Sequence, residues 1–188
     1  MTNSQALTVA CIVAACSAQV RAENGALPAI SVARAPAAAA VPQALAPRGS
    51  HTLLESVAAR GVQVYECRPD AGAPGGARWV FVAPQADLFD AGGAQVGTHY
   101  GGPTWEAADG SRIVGAVEAR ADAPQADAIP WLLLSAKSVG PDGRFAKVTS
   151  VQRVNTSGGV APVRPCAAGE VGDTERVTYT ADYVLYAP

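Results

Sequence analysis

The chain has 188 residues, 49% of them hydrophobic and 16% charged, a balance that excludes a disordered polymer and suits one ordinary folded domain. Its net charge is −2, and its 14 Lys and Arg are scattered singly, so neither a nucleic-acid surface nor a polybasic membrane patch is available. Nineteen Gly and fourteen Pro against three Phe and one Met fit short strands joined by many turns.

In chain order, the first expected element is a leader over residues 1–22. Ala6 to Cys16 (ALTVACIVAAC) is an apolar run of signal-peptide length, too short to span a bilayer. Val20-Arg21-Ala22 fits cleavage by an ordinary signal peptidase, whereas Val13-Ala14-Ala15-Cys16 resembles a lipobox with Cys16 as the lipidated residue. Residues 2–5 lack the positive charge of a leader's n-region, and a buried N-terminal helix is the rival reading. Residues 23–40 are rich in Ala and Pro without apolar periodicity and read as a tether. Export makes the site of action periplasmic, outer-membrane-anchored or extracellular, with membrane contact only through the lipid anchor.

The body, residues 41–188, reads as a single β-rich domain. His51 to Arg60 is ambiguous: Thr52-Leu-Leu-Glu55 matches a helix capping box with Gly61 as terminator, but the stretch serves equally as a strand. After Gly61 strand signals dominate. Gln63, Tyr65 and Cys67 alternate with Val62, Val64 and Glu66, which places Tyr65 and Cys67 on one sheet face. Strands follow at Trp79–Ala83, Ala94–Tyr100, Pro103–Ala107, Ser111–Ala119, Trp131–Ser138, Phe145–Val154 and Val177–Leu185. Asp109-Gly110 and Asp142-Gly143 are hairpin signals between consecutive pairs. About eight short strands with regular turn signals and no strand–helix rhythm predict an all-β antiparallel sandwich or barrel, with at most one short helix.

The body holds two cysteines, Cys67 and Cys166, and an even pair in an exported chain reads as a disulfide. It would close a loop of about 100 residues, for which chain entropy alone gives about 4.7 kcal/mol.

Only two histidines, His51 and His99, serve the body, which rules against a His-rich zinc site, and the sequence implies no metal and no cofactor. No nucleophile elbow, phosphate-binding loop or dinucleotide fingerprint is present, and a Ser–His–Asp triad would have to use one of these two histidines. The densest cluster is Gly97 to Glu106, where His99, Tyr100, Trp105 and Glu106 surround a Gly-Gly-Pro bend. His99 and Glu106 form a candidate acid–base or metal-ligating pair beside Tyr100 and Trp105; alternatively the bend is a strand crossover, Trp105 a core anchor and His99 a hydrogen-bonded neighbour. The second cluster, Gln152 to Pro162, runs into a Gly-rich loop where Arg153 and backbone N–H groups could bind an anion or sugar. Alternatively Arg153 pairs with an acid and the loop carries the chain to Cys166. Trp79, Trp105 and Trp131 suit carbohydrate stacking or, more simply, the core.

The segments Gly61–Cys67, Gly97–Trp105, Asp109–Ser111, Ile129–Leu134, Gln152–Pro162, Cys166 and Tyr179–Tyr183, in this order, resemble a family of exported bacterial and fungal proteins catalogued as domain of unknown function 3455. The resemblance implies an exported β-rich domain that keeps both body cysteines, and brings no activity with it. The residues themselves point to an exported non-enzymatic binding or structural protein, whose partner would be a small molecule, a glycan or an envelope protein. A hydrolase or metal-dependent enzyme built on His99 and Glu106 is the alternative, and a surface assembly subunit joined through edge strands is another.

Overall fold

The computed structural model describes Met1 and residues 40–188. The expectations for the leader and tether, Cys16 included, fall on residues 2–39 and lie outside the described residues. The body consists of eight strands: β1 (Thr52–Pro69), β2 (Ala77–Phe89), β3 (Gln95–Tyr100), β4 (Thr104–Ala107), β5 (Arg112–Ala121), β6 (Trp131–Ser138), β7 (Ser150–Gly158) and β8 (Thr174–Ala187). Each pairs antiparallel with the next, and β8 pairs with β1, so the sheet closes into a barrel. The other regular elements among the described residues are 3-10 turns at Gln43–Leu45 and Ala168–Glu170.

The ambiguous segment before Gly61 is strand, and the reason is parity. Val57 and Ala59 are buried in step with Gln63, Tyr65 and Cys67, so one period-2 pattern runs from Val57 to Cys67 in β1. Glu55 ion-pairs with Arg144 instead of capping a helix. Gly61 ends nothing; it lets β1 and β2 approach, because a Cβ there would lie 2.1 Å from the Gln85 carbonyl oxygen. Three strands are longer than the short ones expected, with 18 residues in β1, 13 in β2 and 14 in β8.

The Asp109-Gly110 hairpin joins β4 to β5 as predicted. The Asp142-Gly143 connection is longer than a tight hairpin, since Phe145 lies outside β7. Phe145 and Val148 are instead fully buried plugs in one end of the barrel, packed on Val57, Leu88, Ile113 and Leu185. Asp109 fixes that plug by accepting hydrogen bonds from the Ser111 and Arg144 backbone N–H groups at 2.9 and 2.8 Å. β6 is buried on both faces, which accounts for the continuous run Trp131-Leu-Leu-Leu134. Leu132 and Leu134 face the barrel core, whereas Trp131 and Leu133 pack outside it under Leu45. Gln152 anchors that outer cover through a 2.6 Å hydrogen bond to the Leu45 carbonyl.

Cys67 and Cys166 form a disulfide with Cα atoms 6.0 Å apart, inside the range the bond permits. The bridge spans 99 residues of sequence and sits beside the end of the β1–β8 ladder, where Glu66 faces Thr174. It therefore removes chain entropy from the least local pairing in the barrel. The Cys67→Ala, Cys166→Ala double variant is expected to lose about 2–5 kcal/mol in urea unfolding, with residues 159–173 gaining hydrogen exchange first. Unchanged stability and unchanged exchange there would show that the bridge holds nothing.

Candidate functional site

The barrel interior has two halves of different chemistry. The end plugged by Phe145 is apolar and buried. The other half is lined by polar and aromatic side chains from seven strands and encloses a cavity of about 560 Å³. The sequence accounts for this division: along the inward parity of β1, Val57 and Ala59 give way to Gln63 and Tyr65, and along β8 Leu185 gives way to Tyr183 and Tyr179.

His99 and Trp105 form one wall. They are register partners on β3 and β4, and their rings stack with centroids 4.4 Å apart, while Tyr183 meets both edge-on. The Nδ1 of His99 lies 2.8 Å from the Thr104 carbonyl oxygen, which can only accept. Nδ1 therefore carries the proton and Nε2 is left as an acceptor. Burial drives the imidazole pKa down to about 3, with the Thr104 hydrogen bond opposing and the Arg153 charge assisting. Gly115 gives the indole its room, since a Cβ there would stand 2.8 Å from the Trp105 ring.

Arg153 comes from β7 and lines the same cavity. The acid partner expected for it is not what it finds. Its Nε and Nη2 donate to the Pro130 carbonyl at 3.1 and 2.8 Å, and among the described residues no carboxylate pairs with it. Burial raises the pKa of Tyr65 and Tyr183, so both phenols stay protonated as donors. Tyr65 spends its proton on the Gly159 carbonyl at 2.7 Å. Tyr183 Oη, Gln63 Nε2 and Trp105 Nε1 are buried without a partner among the described residues. Such orphans each cost about 1–3 kcal/mol and mark places where water or a ligand completes the bonding.

The cavity opens through the barrel wall. β2 pairs with β3 only over residues 86–89, and β4 pairs with β5 only over residues 112–114. The short β3–β4 hairpin thus leaves a gap between residues 77–85 of β2 and residues 116–121 of β5. Phe81, Val82 and Val117, each about half exposed, line the cavity at this gap, and the Gly101-Gly102-Pro103 turn forms its sill. That turn is a hairpin rather than the strand crossover considered from sequence.

The structure divides the candidate residues. His99, Trp105 and Arg153 meet inside the barrel. Tyr100 and Glu106 lie on its outside, where the Tyr100 hydroxyl donates to Glu106 at 2.5 Å and Arg112 approaches the same carboxylate at 3.4 Å. The Tyr100 bond, with Arg112 adding to it, holds the Glu106 carboxyl below its ordinary range. His99 and Glu106 therefore do not form an acid–base or ligand pair: strand alternation puts them on opposite faces. Among the described residues no three His, Cys, Asp or Glu side chains converge to hold a metal ion.

The Gly-rich segment after Arg153 is structural. Asn155 sits at a bulge with φ 50° and bonds Asp182, while the Gly158 and Gly159 carbonyls accept from Ile129 N–H and Tyr65. Trp131 belongs to the outer cluster, and Trp79 covers the disulfide beneath the Arg164 guanidinium. Gln63, Tyr65, Tyr183 and the Phe81–Val117 rim are site residues that motif reading passed over. A buried-parity glutamine in β1 was the signal available for the first of them.

Residues 47–187 match the model of the family described as protein of unknown function DUF3455, and the chain belongs to that family. No curated protein matches it.

The buried histidine sets a pH dependence. The unfolded chain protonates His99 near pH 6.5, whereas the folded chain keeps it neutral to about 3. Between these values the unfolded state binds more protons, so stability falls as pH drops. Between pH 6.5 and 5, above most carboxylate titration, this loss is about 2 kcal/mol. His99→Phe, which keeps a ring against Trp105, is expected to flatten that slope in urea unfolding; an unchanged slope would mean that His99 does not carry it.

Proposed function

We propose that this protein is an exported, non-enzymatic binding protein whose barrel holds a small organic molecule. The observation that carries this reading is the half-empty barrel: a cavity of about 560 Å³, open through the wall, with orphaned polar atoms in its lining residues. Its volume falls within the usual span for small-molecule sites, and an eight-stranded barrel is just wide enough to take one such ligand. An apolar rim over a donor-bearing interior suits an occupant that is mostly apolar with a few polar atoms. Export is supported by the disulfide across the body, a bond that persists in oxidising compartments.

Catalysis is less well supported than binding. A general base poised near neutrality needs a pKa near the working pH, and His99 lies far below that, with no carboxylate beside it in the cavity among the described residues. Assembly through edge strands has little to build on where ring closure pairs β1 with β8.

The test uses the disulfide-intact protein and a neutral two-ring probe, 2-naphthol, followed by calorimetry. Saturable one-to-one binding is expected, and Val117→Trp at the exposed mouth should abolish it while circular dichroism and melting temperature stay as they were. Equal affinity in the variant, or no binding to either protein, would overturn the reading.

A further inference from the structure

We propose that the occupant is an amphipathic monocarboxylate, held by its carboxylate on Arg153 with its apolar body between the β2 and β6 walls; this rests on the cavity being a ligand site. Among the described residues two arginines line the cavity, Arg153 within and Arg120 at the exposed mouth, and no Asp or Glu does. Neither arginine has an ion-pair partner among the described residues. A charge half-removed from water without a counter-ion is costly unless something supplies the opposite charge.

The geometry of Arg153 narrows the class. Its Nε and one Nη2 hydrogen are committed to the Pro130 carbonyl, which fixes the plane of the guanidinium. The remaining hydrogens lie on the Nη1–Nη2 side, a fork that matches two oxygens of a planar carboxylate. The Tyr183 hydroxyl, buried without a partner among the described residues, adds a donor, and burial keeps it protonated. One deep guanidinium balances one negative charge, which disfavours phosphate dianions and polyanions. The rest of the wall is apolar: Val82 and Pro84 on β2 face Leu132 and Leu134 on β6. A ring or short chain fits there; a sugar would leave its hydroxyls without partners. Arg120 at the mouth adds positive potential along the entry path.

The pair of probes is 2-naphthoate and 2-naphthamide, equal in shape and different in charge, titrated at pH 7 into the intact disulfide-bonded protein. The wild type is expected to bind the carboxylate at least about ten-fold more tightly, as a charged hydrogen bond implies. Arg153→Gln should remove the preference and leave the amide's affinity alone, and Arg153→Lys should retain part of it. Equal affinities in the wild type would overturn this inference and leave the binding reading standing. A preference that survives in folded Arg153→Gln would also overturn it. Should that variant fail to fold, the wild-type comparison and Arg153→Lys decide. Failure of both probes to bind would remove both proposals together.

Discussion

Pairing between the first and last strands is the constraint from which the rest of the molecule follows. β1 and β8 run side by side from Thr52 opposite Ala187 to Glu66 opposite Thr174, contacts between residues more than 100 positions apart. Without that ladder the chain is a meander of hairpins with two bare edges; with it, the inward parity of every strand acquires a common interior. Non-local pairing of this kind pays loop-closure entropy before any contact repays it, which slows folding. The disulfide stands at the end of the ladder where Glu66 meets Thr174, so it shortens the effective loop for the same registration.

Closure also explains why the interior is not uniform. At one end, the β4–β5 hairpin and the long β6–β7 connection bring Ser111 and Phe145 together, with the Ser111 hydroxyl accepting from the Phe145 N–H at 3.0 Å. Aliphatic side chains fill the space above. At the other end the chain crosses as Ile129 and Gly159, bonded to each other's strands through backbone groups. The tyrosines, the histidine and the arginine lie between these two closures. Polar side chains are held there because fixed carbonyls of Pro130, Thr104 and Gly159 take part of their bonding.

Much of this was legible in the residues. Alternation and turn chemistry gave the all-β antiparallel class, the β4–β5 hairpin and the face shared by Tyr65 and Cys67, and cysteine parity gave the bridge. What could not be read was which face of each strand turns inward. That is why Glu106 and Tyr100, neighbours of His99 in sequence, landed outside the ring, and why Tyr183 joined the site from the far end of the chain. Local pattern likewise could not separate helix from strand at residues 52–60, where Val57 and Ala59 fit either period until β8 supplies the partner strand. Nor does sequence spacing reveal that Phe145 leaves the ladder to become a plug.

The short β3–β4 hairpin has a consequence for access. Because it covers only part of the span between β2 and β5, the interior communicates with solvent through the side of the barrel. Access through the wall needs no strand to unzip, because the opening lies beside the Gly101-Gly102-Pro103 turn. Global stability and access to the interior are thereby uncoupled: the ring can be made tighter, by the bridge or by the plugged end, without closing the side opening.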